Sequence, residues 1–141
     1  MTPIRPATRA DIPACARIVH DWEKATGYIH DTPDLETLTG YILDAFPARE
    51  IHVCGDPVCG YLSIDPVEAK LGALYLAEPG KGTGKRLMDR AKDGRDQLWL
   101  TVYVPNIRAI GFYKREGFTT TAELPPDRAG APAMLRMEWQ R

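Results

Sequence analysis

Residues 98–118 constrain this chain more than any other stretch. Leu98, Trp99, Leu100, Thr101, Val102, Tyr103 and Val104 make an apolar, aromatic and β-branched run that suits a buried strand. Pro105 ends it, and Asn106 follows as a helix N-cap. Gly117 stands at the C′ position, where a helix end turns left-handed. Phe118 then opens another extended segment, running to residue 123. A strand, a capped helix and a further strand in that order commit the region to layered α/β packing.

The rest of the chain extends this pattern. Ile4 and Arg5 form a short strand ended by Pro6. Asp11 reads as an N-cap, with Pro13 tolerated in the first helical turn. Ile12, Cys15, Ala16, Val19 and Trp22 then fall on one helical stripe that stops at Gly27. Asp31 or Thr32, before Pro33, opens a second helix through Leu35, Leu38, Ile42 and Phe46, and Pro47 ends it. Residues 51–54 and 58–64 flank Gly55, Asp56 and Pro57 as a hairpin. In the strand 71–77, alternation puts Ala73 and Tyr75 on one face and Leu74 and Leu76 on the other. Leu87, Met88 and Ala91 give a helical stripe ended by Gly94, and residues 133–139 make a last strand after the Pro/Gly-rich loop 124–132. The order β-α-α-β-β-β-α-β-α-β-β predicts an α/β (α+β) fold: a mixed, mostly antiparallel twisted sheet with helices on both faces, as a single domain over residues 1–141.

Charge and cysteine content narrow the function classes. The net charge is −1, so no basic field points to nucleic acid or to an anionic membrane. Three cysteines do not make a disulfide framework. Cys54 and Cys59 stand close enough in sequence to meet across the hairpin, but reduced thiols of a cytosolic protein are the expectation. Residues 1–10 lack an apolar leader core, and no apolar run approaches the ~20 residues of a membrane span, so the cytoplasm is the expected compartment.

A second segment carries chemistry. Gly80, Gly82 and Gly84 precede a helix that begins near Thr83 to Arg86. Helix N-termini offer unpaired N–H donors and a positive dipole end, and glycines let a phosphate approach the backbone. Lys81, Lys85 and Arg86 add positive charge, so a diphosphate suits the segment. The nucleotide patterns fail. Pro79 takes the first glycine position of a Walker loop and Arg86 its Ser/Thr position, while Lys85 and Leu87 stand where the dinucleotide pattern needs its third glycine. Taken alone, the loop is also compatible with a plain strand-to-helix turn.

Together the two segments resemble the acyl-CoA-binding core of the GCN5-related N-acetyltransferase (GNAT) superfamily, in particular its small bacterial-type members. The family pattern Asn-x-x-Ala-x-x-Phe-Tyr-x-x-x-Gly-Phe is matched at Asn106, Ala109, Phe112, Tyr113, Gly117 and Phe118. Gly80, Lys81, Gly82, Thr83 and Gly84 resemble the family's pyrophosphate loop, with Pro79 where a Gln or Arg is usual. The resemblance implies a donor site for acetyl-CoA: Leu74 and Leu76 pair with pantetheine through their backbone, the loop from Gly80 to Lys85 and Arg86 holds pyrophosphate, and Asn106, Ala109 and Phe112 line the CoA arm. It also implies that Tyr113 protonates the departing sulfur. A thiol pKa near 8.5 and a tyrosine pKa near 10 make that transfer feasible.

The implied reaction is direct acetyl transfer, within a ternary complex, to an amine acceptor, a small molecule in preference to a protein. Lys70 occupies the position where many family members carry a base-like Glu, so the sequence assigns no general base. Trp22, Tyr28 and His30 form the candidate acceptor wall, with His30 the candidate base because its pKa falls in the working range. No metal is implied, and the expected assembly is a monomer or homodimer. Two alternatives stay open: a non-catalytic acyl-CoA-binding or sensing protein of the same fold, and a nucleotide-binding module using the glycine loop.

Overall fold

The computed structural model describes residues 3–141. Met1 and Thr2, the start of the stretch read as lacking a leader, lie outside the described residues. The strands are β1 (Ile4–Pro6), β2 (Glu50–Gly55), β3 (Val58–Asp65), β4 (Lys70–Leu76), β5 (Gln97–Tyr103), β6 (Thr119–Leu124) and β7 (Met134–Gln140). The helices are α1 (Ile12–Thr26), α2 (Leu35–Ala45), α3 (Thr83–Lys92) and α4 (Ile107–Arg115). The strands form one sheet in the order β1-β2-β3-β4-β5-β7-β6. Every neighbouring pair is antiparallel except β4 with β5. The fold class read from the sequence is therefore the one observed.

Each face of the sheet has its own core. Ile12, Cys15, Ala16 and Val19 of α1 and Leu38 of α2 pack with Ile51, Val53 and Tyr61. On the opposite face, Leu87, Met88 and Ala91 of α3 and Ile110 of α4 pack with Leu62, Leu71, Leu98, Leu100 and Met137. The alternation in β4 sends Ala73 and Tyr75 to the first core and Leu74 and Leu76 to the second. Trp22 is the one member of the α1 stripe that is only partly buried, because it borders a cleft.

Two helix caps differ from expectation. The side chain of Asp34, not Asp31 or Thr32, caps α2 by accepting from Thr37 N–H at 2.8 Å. Asp11 directly precedes α1, but its carboxylate turns backward. It accepts from Thr8 N–H at 2.8 Å and from both terminal nitrogens of Arg5 at 2.8 and 2.9 Å. Those bonds hold its carboxyl well below the usual carboxylate range. The tight helical turn at Arg9–Asp11 takes up the backbone that a direct cap would have used.

The three cysteines are free. The Cys59 thiol donates to the Cys54 carbonyl at 3.3 Å. Burial pushes the Cys15 thiol up to about 12. Among the described residues, no helix is long and apolar enough to cross a membrane.

Candidate functional site

The sheet opens between β4 and β5. Lys70 with Trp99 is the single registered pair across this parallel junction among the described residues, reinforced by a 3.1 Å bond from Trp99 N–H to the Ala69 carbonyl. Beyond that point the strands diverge. A bulge contributes to the divergence: Ala73 pairs with Ser63 and Leu71 with Ile64, so Gly72 is an extra residue in β4. Bulges bend a strand and sharpen its twist. This one also explains how Leu71 and Leu74, three residues apart, face the same core.

The divergence leaves the backbone of β4 with unused groups. Ala77 N–H donates to the Cys59 carbonyl at 2.8 Å, which sets the phase of the β3–β4 ladder. The antiparallel alternation then turns the backbone groups of Tyr75 toward β3 and those of Leu74 and Leu76 toward the opening. A guest that adds itself as a strand would meet donors and acceptors there.

The opening is a cleft of about 400 Å³, within the range of small-molecule sites. At one end lies the N-terminus of α3. Gly80 and Gly82 both have left-handed backbones, with φ of 89° and 79°. That geometry is open to glycine and turns successive N–H groups to one side, an arrangement that receives anions. Gly84 is buried in the first helical turn and lines the cleft. A Cβ added there would meet Leu76 Cδ1 at 3.3 Å and Phe112 Cζ at 3.6 Å. The cleft floor is thus shaped by the missing side chain.

The cations of this end divide into two groups. Lys85 lines the cleft and also reaches Asp89 at 3.2 Å and Glu116 at 3.3 Å. Arg108 and Arg115 of α4 line it too. These two arginines were not singled out from the sequence. Their helical phase relative to Tyr113 was available, but nothing distinguished them from other exposed cations of α4. Of the residues expected at the donor site, Lys81 pairs with Glu78 in the loop and lies off the cleft wall. Thr83 is also off the wall. Arg86 points to the other side of α3, where its guanidinium lies 3.9 Å from Cys54 Sγ. Leu74, Leu76, Gly80, Gly82, Gly84, Lys85, Asn106, Ala109 and Phe112 all line the cleft.

Asn106 caps α4 by accepting from Ala109 N–H at 3.3 Å. The cap starts the helix so that Ala109, Phe112 and Tyr113 face the opening. Tyr113 sits between Phe112, at 5.6 Å between ring centres, and Phe118, at 5.7 Å. Its hydroxyl has no hydrogen-bond partner among the described residues. Burial pushes that hydroxyl up to about 12, so it keeps its proton throughout the neutral range.

At the other end of the cleft is an aromatic wall. Trp22, Tyr75 and Tyr103 line it. Trp22 meets Tyr75 edge to face at 5.4 Å, and Tyr28 bridges Trp22 at 6.4 Å to Tyr103 at 5.9 Å. Tyr28 packs on the wall without lining the cleft, and His30 is exposed and does not line it either. Behind the rings, Glu23 is buried and takes both terminal nitrogens of Arg128, at 2.7 and 3.3 Å. Asp127 accepts from Tyr103 Oη at 2.8 Å, and Asp31 lies 3.0 Å from Arg128 Nε. This cluster joins α1 to the loop before β7 across 105 positions of sequence, a separation that no local pattern reveals.

Known proteins resemble the chain in sequence and in shape. The family model described as Acetyltransferase (GNAT) family matches residues 15–118. The peptidyl-lysine N-acetyltransferase YjaB of Salmonella typhimurium is 26% identical over 127 residues, covering 84% of this chain and 86% of that protein. The solution structure of apo YjaB from Escherichia coli superimposes with a TM-score of 0.78 at 22% identity, covering 99% of this chain and 97% of that one. The structure of YncA from Salmonella typhimurium with acetyl-CoA gives a TM-score of 0.75 at 23% identity, covering 99% and 93%.

Proposed function

This chain belongs to the Acetyltransferase (GNAT) family, and from that premise we propose that it is an acetyl-CoA-dependent N-acetyltransferase. The observation that carries the proposal is the opening of β4 from β5 past Lys70 and Trp99, with an anion-receiving helix start at one end and Tyr113 at its wall. YncA, which shares the fold, was solved with acetyl-CoA.

The residues present fit that co-substrate. The backbone groups of Leu74 and Leu76 suit an extended amide-bearing arm. The turn from Gly80 to Gly82 and the first turn of α3 suit its pyrophosphate. Lys85, Arg108 and Arg115 add positive charge around the mouth. The small Gly84 and Ala109 leave space against the floor formed by Leu76 and Phe112.

Acetyl-CoA supplies an activated acetyl group on sulfur. In the reaction the acetyl carbon–sulfur bond breaks and a carbon–nitrogen bond forms. Tyr113 gives its proton to the leaving sulfur, and the proton lost by nitrogen returns through solvent to the phenolate. A backbone N–H of β4 at or near Leu76 would support the oxyanion. Burial keeps the Tyr113 hydroxyl protonated at the start of each cycle but also weakens it as an acid, so the transfer relies on its placement beside the sulfur as negative charge develops there.

Calorimetry of the purified protein against acetyl-CoA, with ATP and NAD as controls, tests the donor site. Thiol release in the presence of an amine panel tests transfer. Micromolar binding of acetyl-CoA alone, with amine-dependent release, is the expected result. Binding without release to any amine would favour the non-catalytic acyl-CoA-binding reading, and binding of ATP or NAD alone would overturn the donor assignment.

A further inference from the structure

We propose that the acceptor end of the cleft takes a monoamine carried beside a flat apolar group, the chemistry of an aromatic α-amino amide, and discriminates against polyamines. The inference rests on the acetyltransferase reading and specifies the second substrate of that site.

Two observations converge on this chemistry. The first is the wall itself. Trp22, Tyr75 and Tyr103 present ring surface to the cleft, and their edge-to-face packing, with Tyr28 packed on Trp22 and Tyr103, holds the rings in place. Stiff rings offer a large apolar contact at little cost in side-chain entropy. Ala73 and Thr101, also on the cleft wall, leave room in front of them.

The second is deprotonation. His30 does not line the cleft, and Lys70 turns its ammonium onto Trp99. An acceptor that is already partly neutral relieves the need for a strong base. At pH 7 about a tenth of an α-amine is neutral, against about four in ten thousand of a lysine-type amine of the kind a polyamine carries, a difference of a few hundredfold in reactive species.

The test compares phenylalaninamide, alaninamide and spermidine as acceptors at pH 7, following thiol release from acetyl-CoA. Phenylalaninamide should exceed alaninamide in kcat/KM by at least about tenfold, the scale of a well-filled apolar pocket. It should exceed spermidine by a larger factor. In Trp22→Ala the advantage of phenylalaninamide over alaninamide should collapse while acetyl-CoA affinity persists, which also reports that the variant is folded. Trp22→Phe should restore part of the advantage. Equal use of phenylalaninamide and alaninamide, a preference for spermidine, or a ring preference that survives Trp22→Ala would overturn the proposal. Acetyl-CoA binding with no turnover of phenylalaninamide would overturn the acceptor assignment alone, whereas loss of acetyl-CoA binding by the native protein would overturn the underlying reading with it.

Discussion

The ammonium of Lys70 lies 4.8 Å from the centre of the Trp99 indole, at the pair where β4 and β5 last meet in register. The Arg136 guanidinium lies 3.9 Å from the same ring, and the indole N–H donates to the Glu68 carbonyl at 2.9 Å. Trp99 therefore pins the closed end of the cleft. It also gives Lys70 a structural task at the position where the family resemblance implies a Glu. Replacing Trp99 with Leu should cost about 1–2 kcal/mol, the sum expected for two exposed cation–π contacts. Urea unfolding of the variant beside the native protein checks this, and an unchanged midpoint would show that the pin carries no energy.

Tyr113→Phe should leave the affinity for acetyl-CoA unchanged and lower kcat by roughly 10²–10⁴-fold, the usual contribution of a positioned acid. Because the hydroxyl holds its proton up to about 12, the native kcat profile should show no alkaline fall from this group below pH 10. A native-like kcat in the variant would remove Tyr113 from the mechanism.

Gly84→Val should raise the acetyl-CoA Kd by more than about tenfold with the fold intact. The branched side chain would enter the floor between Leu76 and Phe112, where the first added carbon already sits at 3.3 and 3.6 Å, and each tenfold corresponds to 1.4 kcal/mol. Calorimetry on the folded variant decides the matter, since native affinity would show that this floor is not in contact with the donor.

Glu23→Gln should destabilise the protein by somewhat less than the ~3–5 kcal/mol of a fully buried pair, because Arg128 keeps 27% of its side chain in water. Changing both residues, Glu23→Gln with Arg128→Met, should recover part of that loss, since no uncompensated charge is left inside. A double-mutant cycle by denaturant unfolding supplies the coupling, and strict additivity would mean the two side chains do not act as a pair.

Alkaline pH should weaken the fold. Burial raises the hydroxyl pKa values of Tyr61, Tyr75 and Tyr113. The folded state thus keeps protons that the unfolded chain begins to release near pH 10, so stability is full below about pH 10 and falls as pH rises beyond it. Thermal unfolding between pH 8 and 11 should show a flat midpoint followed by a decline. A midpoint that stays level to pH 11 would contradict the assignment.

The strand–helix–strand segment was legible because its signals are local. Asn106 caps the helix it precedes, Gly117 leaves that helix with φ of 95°, and Phe118 is buried in the core. The faces of β4 were legible for the same reason, since alternation within four residues decides them. The Gly72 bulge was not, because it depends on the register with β3 and adds only one residue to a strand. The cap of α2 was misplaced by two or three residues because Asp31, Thr32 and Asp34 offer equivalent side chains around one proline. The grouping of Arg86 with the phosphate-facing cations followed from its nearness in sequence, but helical phase carries it away from the cleft. The aromatic wall was half visible: Trp22 and Tyr28 are close in the chain, whereas Tyr75 and Tyr103 join them only through the sheet.

The open junction between β4 and β5 has a mechanical consequence. A seven-stranded sheet usually carries force from edge to edge through its hydrogen-bond ladders, but here the ladder has essentially one rung at its middle. The two half-sheets are held at that seam by side chains, chiefly those beneath α3. A molecule lying along β4 would supply the missing rungs, so occupancy of the cleft and stiffness of the whole sheet become one variable, readable as slowed amide hydrogen exchange at Leu74 and Leu76 when the guest is bound.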